Sequence, residues 1–571
     1  MAAFLTHYQG IFSGGKQVNV VDLDVWQGMM TAREIIFSLV PMLCCFFAAR
    51  VLLHYFQLES YQFPGYFRTL NRNRKHAFLP GICSAAVCLI LFTLQNGWYT
   101  HALQSPETPP SAAMIWLITL GLLAVAVLAG IGIGKIFSEK HAKKAFVLTG
   151  RMKRLMVMLA LVLAALGWLF QRTVVVWNLL FLWPLFLPLV VALAGLLAWP
   201  IEKAISELYF RDARRKLLSI PGLIRIGITG SYGKTSVKHI LGTILSEKYT
   251  TLITPASFNT PMGVTRTIRE KLTPSYQVFV GEMGARHVGD IKEMCRLVHP
   301  TIGIITSVGP QHLETFKSIE RIAKTKYELI DALPTTDSHS YFYNDGSYCL
   351  QMYQKTEKPK TLCGSDESAD VYATDCRVSG EGSIFTLHVK GKGSIECHTR
   401  LLGAHSIQNI LLAAAVASDL GLSLKQIAHG VEKLQPVKNR LELMNSPGSF
   451  TIINDAFNSN PVGAKAALEV LRQFPQRRII ITPGMVELGE KEAEYNREFG
   501  RQMAGCVDIA IIVGKGRATP ILDGLKEAGF PDENAYRVDS LEESTRLLHT
   551  LVKPTDTVLY ENDLPDHYQE A

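Results

Sequence analysis

From Ala112 to Gly134 the chain runs for 23 residues without a charge. At about 1.5 Å per helical residue, such a run crosses a hydrocarbon layer of about 30 Å. A helix is the conformation that satisfies its backbone there. Four more apolar runs accompany it: Ile35 to Phe56, interrupted by Arg50, then Ala77 to Leu94, Leu155 to Phe170 and Val174 to Trp199. The run from Leu155 has only 16 residues, and only Gln171, Arg172 and Thr173 separate it from the next. A re-entrant hairpin is therefore an alternative to two full spans. About five transmembrane helices are expected within residues 1–199.

Basic residues orient this bundle. Segments 57–76, 135–154 and 201–216 carry 16 Lys and Arg, against 3 in residues 1–34, 95–111 and 171–173. The excess predicts a plasma-membrane protein whose remaining residues lie in the cytoplasm. Met1 to Met30 has no basic start followed by an apolar run, so no cleaved signal peptide is expected. The net charge of +8 sits mainly in the membrane-flanking loops, which suits lipid headgroups and argues against nucleic acid as a partner. Ten cysteines with no C-x-x-C pair point to reduced thiols, with neither zinc ribbon nor disulfide framework.

After the apolar half the patterning changes. Residues 200–217 read as an amphipathic connector helix, basic toward its end. Strand and helix patterns then alternate from "LIRIGIT" onward, which predicts βαβ units and a parallel sheet over 218–438. Within this stretch, 338–402 reads as short alternating strands, an antiparallel patch. A second, smaller open sheet is expected over 439–571. The predicted class is an α-helical transmembrane bundle followed by α/β: a phosphate-loop ATPase domain and a Rossmann-like C-terminal domain.

Gly230-Ser231-Tyr232-Gly233-Lys234-Thr235-Ser236 lies between a strand and a helix. Backbone N–H groups and a helix N-terminus can receive phosphate there, Lys234 can reach terminal phosphates, and Thr235 or Ser236 can ligate magnesium. The common G-x-x-x-x-G-K-[ST] spacing would need glycine at 228, where isoleucine stands.

The shorter T-G-x-x-G-K-T-[ST] form, led by Thr229, resembles the loop of the Mur ligase family. The resemblance continues in order through "SFNTPMGV" (257–264), "EMGARHVGDI" (282–291), "TSVGPQHLETF" (306–316), "IAKTKYEL" (322–329), "GAHSIQNILLAAA" (403–415), "NRLE" (439–442), "NDAFNSNP" (454–461) and "GMVELGE" (484–490). It covers about residues 220–560 and is strongest for the branch that joins D-alanyl-D-alanine to a UDP-N-acetylmuramoyl tripeptide. The resemblance implies that ATP phosphorylates a carboxylate and that an amine displaces phosphate from the acyl phosphate, with two Mg²⁺ ions in the cleft. It implies that Glu282 and His312 lie at the metal. Lys326 is implied to be carbamylated to support a second Mg²⁺, with Lys324 left charged. Asn409 is implied to contact adenine, Arg440 the ATP phosphates, and Asp455 the nucleotide from the C-terminal domain.

The chain departs from the family pattern in places. The membrane spans occupy the position of the usual sugar-nucleotide-binding domain. Ser406, Phe457 and Asn496 stand where Asn, Tyr and His are common, and Tyr560 to Asp566 replaces a basic K-G-S-R stretch with an acidic one. An acceptor ammonium attracted to Glu561, Asp563 or Asp566 would fit that exchange. The expected partners are ATP, a carboxylate-bearing cell-envelope precursor, free or lipid-linked, and an amino acid or dipeptide amine. A membrane-bound polyglutamate-type ligase is a second reading. An ATP-driven transporter or sensor is a third, opposed by spans nearly free of charge.

Overall fold

The computed structural model describes residues 20–104, 111–138, 145–172, 183–255, 258–379, 382–445, 450–456 and 459–563. It divides into two compact units, Met1–Ile205 and Ser206–Ala571.

The first unit is helical. Four helices are long and apolar enough to cross a membrane: Arg74–Gln95, Ala112–Ile136, Gly150–Leu169 and Trp183–Leu218. A fifth candidate is the pair Glu34–Ala48 and Arg50–Leu58, bent by 42° at the break. The helix predicted to be a short one from Leu155 extends over Gly150–Arg172, 23 residues, enough for a span by itself. Residues 173–182, which include the start of the fifth predicted run, lie outside the described residues. Helix Ala112–Ile136 packs against Val20–Ala48 through two glycines one helical turn apart. A Cβ at Gly130 would lie 2.6 Å from the Cys44 carbonyl oxygen, and one at Gly134 would lie 2.5 Å from that of Phe47. Small residues at this spacing let apolar helices approach closely, and dispersion then supplies the contact. At the unit's polar end Arg154 makes a bidentate pair with Glu202, at 2.5 and 2.9 Å.

The expected connector is not a separate element. Leu187–Leu218 is one helix of 32 residues with Pro200 inside it. The physical reason is that the connector's own amphipathic pattern continues the helical period across the proline.

The second unit holds two sheets. The larger is nine-stranded, in the order β2-β3-β1-β4-β5-β6-β7-β8-β9. Its strands are β1 (Ile224–Thr229), β2 (Thr251–Ile253), β3 (Val278–Glu282), β4 (Ile302–Ile305), β5 (His339–Tyr343), β6 (Lys360–Gly364), β7 (Val371–Ser379), β8 (Gly382–Val389) and β9 (Gly393–Thr399). Pairing from β2 through β7 is parallel. Only β7–β8 and β8–β9 are antiparallel. The patch expected over 338–402 is therefore antiparallel only from β7 onward. Helix Tyr348–Lys355 supplies the crossover that returns β6 parallel to β5. Both faces are covered, so Val278 and Val280 enter one core while Phe279 enters the other. Helices Lys234–Leu245 and Ala404–Asp419 pack on the first face, and Asp290–Val298 and Ile319–Asp331 on the second.

The smaller sheet is six-stranded, in the order β10-β11-β15-β12-β13-β14. Its strands are β10 (Glu442–Asn445), β11 (Thr451–Asp455), β12 (Arg478–Thr482), β13 (Ile509–Val513), β14 (Ala535–Val538) and β15 (Thr557–Glu561). All but the edge strand β10 are parallel. The predicted mostly parallel open sheet is what forms.

Candidate active site

The phosphate loop follows β1, an interior strand of the larger sheet, where a parallel sheet presents its carboxyl edge. Gly233 caps helix Lys234–Leu245 with a φ of 78°. That left-handed conformation favours glycine, and a Cβ there would stand 2.5 Å from Asn409 Oδ1. Asn409 thus borders the loop from the alanine-rich helix.

The segment after β4 holds the loop in shape. Ser231 N–H donates to the Ser307 carbonyl at 2.8 Å, and Tyr232 N–H to Ser307 Oγ at 2.8 Å. Ser231 Oγ donates to the Gly309 carbonyl and accepts from its N–H, both at 3.0 Å. Thr306 Oγ1 donates to the Tyr232 carbonyl, and Tyr232 OH to that of Pro310 at 3.0 Å. Thr229 Oγ1 donates to the Met283 carbonyl at 3.0 Å, which joins β1 to the end of β3. The hydroxyls of Thr229 and Ser231 are therefore engaged in the scaffold. Their main chain and that of Gly230 form the turn from β1 toward helix Lys234–Leu245.

Lys234 Nζ donates to the Gly230 and Ser231 carbonyls at 2.7 and 3.0 Å. Burial lowers its pKa to about 8, against the attraction of Glu282. Thr235 Oγ1 donates to Glu282 Oε1 at 3.0 Å, which singles out Thr235 over Ser236 as the hydroxyl beside the strand-end acid. Ser236 is half-buried on the same first turn. Asn259 Nδ2 also donates to Oε1, at 3.2 Å, and Lys238 Nζ donates to Oε2 at 3.0 Å. Burial alone would raise the Glu282 carboxyl, but Lys238 and Lys234 outweigh it and hold the pKa below the ordinary value.

His312 sits at a φ of 53°, just before the short helix Leu313–Phe316. Its Nδ1 contacts Glu487 Oε2 from "GMVELGE", and Arg286 approaches the other Glu487 oxygen at 3.4 Å. Burial lowers the His312 pKa while Glu487 opposes the shift. Asn496 shapes the Glu487 loop, accepting from Met485 N–H at 2.8 Å and donating to the Met485 and Glu492 carbonyls.

Lys326 is 3% exposed and has no hydrogen bond or carboxylate partner among the described residues. Burial, with help from Lys234, lowers its pKa well below that of an ordinary lysine. Its neighbour Lys324 is exposed. Glu328 of the same motif caps the earlier helix Asp290–Val298, accepting from Gly289 N–H and Lys292 N–H at 2.9 Å each.

Arg440, two residues before β10, helps lower the pKa of Lys234 and Lys238, while Asp455 and Glu282 oppose the lowering that burial imposes on Arg440 itself. Burial raises the Asp455 carboxyl to about 6 against the pull of Arg440, while Leu441 N–H donates to it at 3.2 Å. Phe457 lies outside the described residues. In the acidic segment Asp563 is exposed, but Glu561 is not at the surface where it could attract an acceptor ammonium. Glu561 is 1% exposed, with Oε1 accepting from Ser459 Oγ and Oε2 from Thr482 Oγ1 at 2.8 Å. Residues 564–566 lie outside the described residues.

Lys238, Asn259 and Glu487 are the polar groups that motif reading missed. Asn259 and Glu487 lie within "SFNTPMGV" and "GMVELGE", which gave them no individual role, while Lys238 lies three residues after Thr235 and so shares its helix face.

Among the described residues no group of three or more His, Cys, Asp and Glu could hold a metal ion. That donor set still suits magnesium, which is bound through one or two carboxylates together with substrate phosphates and water. Thr235 and Glu282 offer such a partial set beside the phosphate loop.

The Mur ligase middle domain profile matches residues 228–417, and the Mur ligase, glutamate ligase domain profile matches 439–560. The UDP-N-acetylmuramoyl-tripeptide–D-alanyl-D-alanine ligase of Escherichia coli (strain K12) is 31% identical over 373 residues, 63% of this chain and 82% of that protein. The enzyme of the same name from Mycobacterium bovis is also 31% identical, over 59% of this chain and 70% of its own length. A crystal structure of MurF from Acinetobacter baumannii aligns with a TM-score of 0.58 and 26% identity, covering 64% of this chain and 78% of that one. MurF ligase from Thermotoga maritima, solved in complex with ADP, shares the fold at a TM-score of 0.56 and 24% identity, over 63% of this chain and 80% of that one. Fold and relatives define an ATP-dependent carbon–nitrogen ligase. The chain belongs to the Mur ligase family.

Proposed function

We propose that this protein is a membrane-tethered ligase that uses ATP to join an amine to a carboxylate on a muramoyl-peptide-type cell-wall precursor at the cytoplasmic face. The observation that carries it is the meeting of the phosphate loop with a strand-end acid, Thr235 Oγ1 on Glu282 at 3.0 Å, in a chain 31% identical to a D-alanyl-D-alanine-adding ligase. Lys234 and the loop N–H groups bind the terminal phosphates, Asn409 borders the base, and Arg440 and Asp455 approach from the C-terminal domain. Bound through Thr235 and Glu282, Mg²⁺ would neutralise the phosphates as phosphoryl is transferred. His312, oriented by Glu487, faces the same edge. Lys326 has the environment a carbamate needs. A buried amine with a depressed pKa is largely neutral and can attack CO₂, releasing one proton and leaving an anion. Four or five apolar helices in place of a sugar-nucleotide-binding domain favour a lipid-linked precursor.

Full-length protein in nanodiscs is given ATP, Mg²⁺ and D-Ala-D-Ala, with either UDP-N-acetylmuramoyl tripeptide or its lipid-linked form. ADP release that requires both acid and amine, with an amide product in the mass spectrum, is the expected result. Turnover that ignores the acid would sink the proposal, and acceptance of glutamate chains alone would favour a polyglutamate ligase.

A further inference from the structure

Lys238 belongs to none of the motif positions, yet its side chain is 0% exposed against a Glu282 side chain that is 1% exposed. Burying an ion pair costs more desolvation than burying an apolar pair of the same shape, so stability alone does not account for a lysine there. The geometry supplies another account. A carboxylate offers about four acceptor positions. Oε1 of Glu282 accepts from Thr235 Oγ1 at 3.0 Å and Asn259 Nδ2 at 3.2 Å, and Oε2 accepts from Lys238 Nζ at 3.0 Å. Two positions on Oε1 are filled and one remains on Oε2. Thr235 and Lys238 come from one helical turn and grip opposite oxygens, which fixes the plane of the carboxylate as a single contact would not.

We propose that Lys238 is a positioning residue that holds Glu282 so that one lone pair of Oε2 faces the divalent cation of the bound nucleotide. This rests on the ligase reading above. In this role Lys238 acts through Glu282, which its ammonium holds at 3.0 Å, and not on the nucleotide itself.

The test is calorimetric binding of ADP to the full chain in detergent, with and without Mg²⁺, for wild type, Lys238→Met, Glu282→Gln and the double variant. Wild type should bind ADP more tightly with Mg²⁺. Each single variant should lose most of that tightening while keeping its affinity for metal-free ADP. The double variant should lose no more than Glu282→Gln alone, to within about twofold. Wild-type tightening in Lys238→Met, or losses that multiply in the double variant, would overturn the assignment. Should Lys238→Met fail to fold, the double variant leaves no unpaired buried charge and is compared with Glu282→Gln: equality supports the proposal and a further loss overturns it. A wild type indifferent to Mg²⁺ would overturn the cation reading of the site and this inference with it.

Discussion

Glu561 carries a charge problem that can be read out in solution. Burial pushes its carboxyl from 4.5 up to about 8, despite donation from Ser459 and Thr482, and Asp455 adds to the shift. Below pH 4.5 the folded and unfolded chains both hold this proton. From there to about 8 only the folded chain does, so its contribution to stability is lost as the pH rises through that window. The whole shift is worth on the order of 5 kcal/mol at most. Glu561→Gln keeps partners for both hydroxyls and removes the titration. Its melting temperature should exceed that of wild type at pH 8.5 and vary less between pH 5 and 8.5; a lower one would contradict this account. At Lys326, replacement by Ala should cost about a hundredfold or more in turnover, the scale of losing one electrostatic contact in a closed site. Added formate or acetate should restore part of it, and full activity without them would rule out the carbamate. The phosphate loop was legible because its chemistry is packed into seven consecutive residues. Glu487 was not, because its meaning comes from His312, 175 residues earlier, and no local pattern encodes that contact. Glu561 was misread for the same reason: an acid on a terminal strand looks solvated until the sheet encloses it.

At the scale of elements, apolar run length located the helices that are long and apolar enough to cross a membrane, since hydrocarbon thickness sets a minimum that composition must meet. Strand direction was less accessible. Alternation reports that a residue faces one side or the other, not whether its neighbour runs parallel, so β5 and β6 were assigned to an antiparallel patch that begins only at β7. The glycine seam between Ala112–Ile136 and Val20–Ala48 is an element property with a built-in control. Gly130→Val drives a side chain toward the Cys44 carbonyl, whereas the space around Gly132 is open. Overpacking of this kind costs about 1–3 kcal/mol. Gly130→Val should lower the melting temperature of the solubilised protein, and Gly132→Val should leave it within error. Equal effects would mean the seam does not set the helix distance.

For the molecule as a whole, the distribution of Lys and Arg makes the orientation testable. A fluorescent protein fused after residue 571 should glow, and alkaline phosphatase fused there should be inactive, because the basic segments favour the cytoplasmic side. The reverse pattern would remove ATP from the site. One contact also bears on how the enzyme comes into being. The apolar unit ends at Ile205, the loop begins at Gly230, and the Glu487 carboxylate that meets His312 is added only after a further 257 residues. At roughly 5 to 20 residues per second, a ribosome needs about 15 to 55 s to travel from 205 to 487. From residue 236 until 487 is added, the nascent chain has its apolar helices and the loop but not the carboxylate that meets His312, so that contact forms late in synthesis.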